Sequence, residues 1–269
     1  MRLDFRGGTL GKLPVKVDRA LSRAIGRVAE HAFPATLLQP FIRTYSRLLS
    51  VDLEEAAEPL SSYRSFDAFF TRRLKEGLRP LADEAQVAVS PADGHLQSFG
   101  PISEAATLRV KKRDYLVSEL LGDPALARRF AGGHFAVVYL SPANYHRVHA
   151  ACDGRVQEVR HIPGSFFPVN RLGEVCVPSL LSRNERLVIL QEDPEGFPVA
   201  TVMVAAFGVG HLSLAFDDSH RKVRRESSFH RVYDEGEEPR LVRGEEIGAF
   251  HLGSTVVLLL GEAPGGWKT

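Results

Sequence analysis

The sequence predicts an α+β protein, with N-terminal amphipathic helices followed by a mostly antiparallel, β-rich core. Two observations carry the prediction. Apolar residues recur at helical spacing as far as about residue 77. From about residue 85 the texture changes to short runs of β type (VAVS, HFAVVYL, RLVIL, VATVMVAAF, VVLLL) separated by Asp-Gly, Pro-Gly, Gly-Gly and Asn. The expected division is a helical region over residues 1–80 and a β-rich region, carrying the chemistry, over 81–269.

The first helix is expected over residues 17–31, with Val17, Leu21, Ala24, Ile25 and Val28 on one stripe and Arg19, Arg23 and Arg27 forming a basic line on the other side. The second spans 34–50, with Pro34 at its start and Pro40 making a break or kink. Leu37, Leu38, Phe41, Ile42, Tyr45, Leu48 and Leu49 give it an apolar face. A third is expected in SFDAFFTRRLKEG, capped by Ser65 and stopped at Gly77. Residues 1–50 hold nine Lys or Arg against three acids, in a chain whose net charge is only +1. Basic amphipathic helices of this kind suit an anionic membrane surface, with Leu21, Ile25, Val28, Leu37, Leu38 and Phe41 as candidate contacts. They equally suit packing on the protein's own core.

Composition excludes several classes. With 44% hydrophobic and 25% charged residues, the chain is neither disordered nor basic enough overall to point to nucleic acid. Its two cysteines, Cys152 and Cys176, make no disulfide framework and point to a reducing compartment. MRLDFRGG lacks the apolar run of a signal peptide, and VMVAAFGVG and VVLLL are too short to cross a bilayer. A soluble or peripheral intracellular protein is expected. An echo between ADGHLQS and CDGRVQE reads as two similar turn–strand units.

Three stretches hold residues that can do chemistry: SPADGHLQSFG with Asp93, YLSPANYHRVHAACDG with His146 and His149, and HLGST with Ser254. An acid, an imidazole and a hydroxyl together make an activated oxygen nucleophile. Each alone is weak. Asp-Gly is a common turn, and His-x-x-His lacks a third ligand at metal-site spacing. Asp153, Asp217 and Asp218 are rival acids, and His251 is a rival base. FGVGH lacks a phosphate-binding pattern and reads as a bend.

Taken in order, ADG, YHRVH and LGST resemble the pyruvoyl-dependent phosphatidylserine decarboxylases of prokaryotic type. So do the longer segments SFDAFFTRRLKEGLRPL, PGSFFPVN, LLSRNERLV and RGEEIGAFHLGSTVV. The likeness covers roughly residues 60–261, and the first 59 only in their helical, amphipathic character. It implies that Asp93, His149 and Ser254 form a self-cleavage triad. His149, oriented by Asp93, draws the proton from Ser254, whose hydroxyl attacks the Gly253 carbonyl. The amide becomes an ester, elimination leaves dehydroalanine, and hydrolysis releases ammonia. The products are a β chain of 1–253 and an α chain of 254–269 that begins with a pyruvoyl group. That group would form a Schiff base with the amine of phosphatidylserine and accept the electrons released with CO₂, giving phosphatidylethanolamine. His146 would assist decarboxylation or return the proton. The resemblance further implies no metal, no nucleic acid, a homodimer, and a peripheral location on the cytoplasmic face of the bacterial inner membrane. Another pyruvoyl-dependent decarboxylase, an Asp-His-Ser hydrolase lacking the G-x-S-x-G elbow, and a non-enzymatic membrane adaptor are the competing readings. Gly253 is expected to hold its peptide in a conformation that other residues resist.

Overall fold

A computed structural model describes residues 15–84, 88–169, 173, 176–208, 211–217 and 228–262. The helical part comes first: α1 (Val15–Glu30), α2 (Ala35–Leu49), a 3₁₀ turn (Leu60–Ser62) and α3 (Phe66–Phe70). Among the described residues thirteen strands follow: β1 (His95–Pro101), β2 (Thr107–Val110), β3 (Arg113–Leu116), β4 (His134–Leu140), β5 (Arg147–His149), β6 (Gly154–Ile162), β7 (Arg186–Glu192), β8 (Pro198–Ala205), β9 (His211–Leu214), β10 (Phe229–Val232), β11 (Arg240–Leu241), β12 (Glu246–His251) and β13 (Ser254–Leu260). The short helices α4 (Val117–Leu121), α5 (Pro124–Arg128) and α6 (Leu180–Arg183) lie between them. The α+β class is as expected.

The main sheet runs β1-β4-β13-β8-β7-β6-β10, with β11 also on β6, and every pairing is antiparallel. Its centre is covered on both sides, which is why β8 and β13 read as continuous apolar runs rather than alternating ones. Val256, Met203 and Ile189 face Val148, Leu212, Ile247 and Phe250 of a second sheet, ordered β5-β12-β9. Val257, Leu259, Val202 and Val188 face the opposite way, toward Leu120, Leu126 and Phe130 of the short-helix layer and Leu108 and Tyr115 of the β2–β3 hairpin.

Several local expectations change. α3 keeps its Ser65 cap, whose hydroxyl accepts from the Ala68 amide at 3.1 Å, but ends after five residues. Thr71 then folds back on the Asp67 carbonyl, and Arg72 is buried with its guanidinium on the Ala143 carbonyl. Gly77, with φ +79, lies in a turn beyond the helix. Pro40 does not break α2, which continues through it from Ala35 to Leu49 without the bond from residue 40 to the Thr36 carbonyl. In VAVS, Val87 lies outside the described residues and 88–90 form no strand, although the Val89 amide bonds the Ala151 carbonyl.

The faces of α1 and α2 also differ from expectation in part. α1 packs inward through its small residues: Ser22 and Ala29 are buried, and Ser22 Oγ accepts from the Gly208 amide. Leu21 and Val28 stand exposed, with Ile25 half-buried beside Gly208. On α2, Leu37 and Phe41 are exposed, but Leu38 is not an outward contact. It is 3% exposed and packs with Ile42, Val51 and Phe69, because 38, 42 and 46 form the inward stripe.

Candidate active site

All three chemical stretches reach one end of the main sheet, and strand register brings them there. Ser254 opens β13, opposite Leu140 at the end of β4 on one side and Ala205 at the end of β8 on the other. β4 runs out at Leu140 into the turn that delivers His146 and His149. Asn144 closes that turn by accepting from the Ser141 amide and hydroxyl at 2.8 and 2.7 Å. β1 starts opposite Tyr139 on the other edge of β4, which places Asp93 two residues before it. The His149 amide donates to the Pro91 carbonyl at 2.8 Å, so β5 lies directly against the Asp93 segment.

Ser254 is 1% exposed and its Oγ has no hydrogen-bond partner. A buried hydroxyl left unpaired costs about 1–3 kcal/mol, and Ser254 differs from Ser46 and Thr201, whose hydroxyls are also buried and unpaired, in standing beside a strained turn. The strain expected at Gly253 lies instead one residue earlier. Leu252 has φ +84, whereas Gly253 is outside the left-handed region and a Cβ there would meet only ordinary contacts, at 3.5 Å from the Phe207 carbonyl oxygen.

His149 Nδ1 donates to the Gly244 carbonyl at 2.8 Å, which leaves the lone pair on Nε2, 3.2 Å from the Tyr145 hydroxyl. The expected Asp93–His149 bond is not formed: Asp93 Oδ2 takes Arg79 Nε and Nη2 at 3.1 and 2.7 Å. Glu55 holds the same guanidinium through both carboxylate oxygens, and these two acids strengthen Arg79's grip on its proton. Tyr145 stacks on His149 with ring centroids 5.6 Å apart, and burial pushes its phenol up to about 12.

His146 precedes β5 and is wholly buried, its ring 4.0 Å from that of Phe70. Nδ1 donates to the Asn144 carbonyl at 2.8 Å, and Nε2 is buried without a partner. Burial pushes this imidazole down to about 3, so it is neutral with an open lone pair. The helices sit directly over these loops. The Tyr45 hydroxyl bonds the Pro142 carbonyl at 2.6 Å, and Arg147 Nε bonds the Thr71 carbonyl at 2.8 Å.

Of the rivals, Asp153 accepts from the Arg243 amide, Asp217 pairs with Arg231 and Tyr233, and Asp218 lies outside the described residues. His251 gives its two nitrogens to Asp67 and Ser213 rather than to Ser254. Sequence reasoning missed Tyr145, Arg79, Glu55 and Phe70. Tyr145 adjoins His146 in the motif itself, and Arg79 and Phe70 lie in the quoted segment SFDAFFTRRLKEGLRPL, so position offered a signal for all but Glu55. Both cysteines are free thiols, and no group of three or more metal-ligand side chains occurs among the described residues.

A profile of the phosphatidylserine decarboxylase family matches residues 66–267. The chain is 42% identical over 252 residues to the phosphatidylserine decarboxylase proenzyme of Azotobacter vinelandii, covering 92% of this chain and 87% of that one. It is 42% identical over 244 residues to the proenzyme of Acidovorax ebreus (90% and 84%). It is 41% identical over 247 residues to that of Pseudomonas aeruginosa strain LESB58 (90% and 84%).

Proposed function

Because the chain belongs to the phosphatidylserine decarboxylase family, we propose that it is a carboxy-lyase converting phosphatidylserine to phosphatidylethanolamine after cutting itself between Gly253 and Ser254. The observation that carries this reading is the buried, unpartnered Ser254 hydroxyl two residues after a strained Leu252. A hydroxyl kept from water and from partners is ready to attack the neighbouring carbonyl, and it fits conversion to a pyruvoyl group better than a role in holding the fold.

His149 takes the Ser254 proton through Nε2, the nitrogen that its Gly244 bond leaves unprotonated. Ser254 Oγ then bonds to the Gly253 carbonyl carbon as the C–N bond breaks, and the freed amine takes a proton. Asp93 is the third member of the set. Held by Arg79 beside β5, it stabilises the imidazolium that forms. Loss of the Ser254 α-proton expels the Gly253 carboxylate, and water then replaces nitrogen as ammonia. The pyruvoyl group so made on Ser254 supplies a ketone electron sink that no ordinary side chain offers. β13, buried along its whole length, holds the new terminus of the 254–269 chain against β4 and β8. His146 begins neutral, so it can return a proton to the substrate carbon only after taking one up; it acts as a shuttle rather than a preloaded acid.

The helical region within 1–80 serves as the membrane-docking face, and 81–269 as the catalytic part. Seven of the fifteen exposed large apolar side chains among the described residues lie between 21 and 49, including Leu21, Val28, Leu37, Phe41 and Leu48. Arg23, Arg27, Arg43 and Arg47 share these helices, a combination suited to anionic lipid. No described helix is long and apolar enough to cross a membrane. A peripheral site on the cytoplasmic face of the inner membrane, and a homodimer, complete the proposal. The test is CO₂ and phosphatidylethanolamine release from phosphatidylserine vesicles. Release by the natural chain and none by Ser254→Ala supports the proposal; equal release by both refutes it.

A further inference from the structure

A second titratable cluster lies immediately beside the Gly253–Ser254 bond. His251, the last residue of β12, donates from Nδ1 to the Asp67 carboxylate, both of whose oxygens lie 2.8 Å away, while Nε2 lies 3.1 Å from Ser213 Oγ. Its ring stacks on that of His211, its partner across the β12–β9 ladder, with centroids 3.6 Å apart and planes 17° apart. His211 Nδ1 is 2.9 Å from a carboxylate oxygen of Glu30, at the end of α1. The Asp67 and His251 side chains are only 13% and 15% exposed, so the hydrogen bond between them is largely shielded from water.

The position of this cluster is what gives it a role. The chain turns through Leu252 at φ +84 directly after His251, and Ser254 follows two residues later. A left-handed leucine persists only where its surroundings over-determine it. On the other side of the turn, β13 is fixed by β4 and β8. On the near side the last ladder position of β12 is the His251–His211 pair, and Asp67 clamps it from the helical layer. α3 therefore holds both sides of the site, with Asp67 on His251 and Phe70 on His146.

We propose that Asp67 and His251 are a positioning pair for self-cleavage, pinning the end of β12 so that the strained turn presents the Gly253 carbonyl to Ser254. Through His211 and Glu30 the same cluster ties the turn to α1. The pair is not the base, because both ring nitrogens of His251 are already engaged away from Ser254. This inference rests on the self-cleavage reading above.

The test is the rate at which full-length precursor, freshly translated, is cut on a denaturing gel. Asp67→Asn and His251→Gln should each slow cutting about 10- to 100-fold, the size of one lost charge-assisted hydrogen bond. The double variant should be no slower than the slower single one, and His251→Lys, which puts an N–H donor back opposite Asp67, should recover most of the rate. Melting temperatures in a Ser254→Ala background check folding, and Lys rescue separates positioning from general loosening. Cutting of either single variant at the natural rate, multiplied losses in the double variant, or a Lys variant no faster than Gln would each overturn the proposal. Failure of the natural chain to cut would instead overturn the self-cleavage reading itself.

Discussion

Leu252→Gly separates strain in the scissile turn from the other contributions to cutting. At φ +84 a leucine carries about 1–2 kcal/mol that a glycine does not. Cleavage opens the turn and releases that strain, so it raises the precursor more than the transition state. Relieving it in advance should slow self-cleavage about 5- to 30-fold, at 1.36 kcal/mol per factor of ten. Glycine's extra freedom in the unfolded chain does not enter, because precursor and transition state are both folded. Leu252→Ala is the control: it keeps the strained backbone, loses the half-buried side chain, and should cut near the natural rate. The assay is a gel time course on freshly translated precursor. A Gly variant as fast as the Ala variant would refute a role for the strain.

The remaining predictions concern the histidine and the surface. His146→Ala should still cut itself but decarboxylate 10²–10⁴-fold more slowly, about the worth of positioned acid–base catalysis; an uncut product would contradict the separate roles given to the two histidines. Burial lowers the His146 pKa from 6.5 to about 3, so between those values the unfolded chain binds a proton that the folded chain does not. Stability should therefore be unaffected above about pH 6.5 and fall below it, by about 2 kcal/mol at pH 5. In a Ser254→Ala background, urea midpoints should show this loss relative to the His146→Gln variant, and parallel pH profiles would refute it. Changing Val28, Leu37 and Leu48 together to serine removes side chains that stand exposed on α1 and α2. At about 1 kcal/mol each, binding to anionic vesicles should weaken roughly a hundredfold with little change in melting temperature; unchanged binding would move the docking face elsewhere.

Much of the fold was legible because burial left a periodic signature. HFAVVYL coincides with β4, and RLVIL, VATVMVAAF and VVLLL lie in or largely within β7, β8 and β13, where covering both faces demands unbroken apolar runs. β5, β10 and β11 were not legible, since strands of two to four residues carry too little pattern. α3 was over-extended because its helical spacing continues past Phe70, whereas Arg72 is drawn off by a carbonyl 71 residues away. Leu38 was misplaced for a related reason: a stripe apolar nearly all round does not say which part faces inward. At the site, the residue types and their order were readable, but their partners were not. Nothing local ties Asp93 to Arg79, His149 to the Gly244 carbonyl, or Asp67 to His251 across 184 positions. Those contacts exist only because the sheet order brings β1, β4, β12 and β13 to one end and the helices close over it.

The central claim is tested most directly by intact mass of the purified protein. The account predicts two chains, 1–253 and 254–269, with the smaller lacking a free amine and lighter than its sequence by one ammonia. A single uncut chain, or a smaller fragment that begins with an ordinary serine, would contradict it.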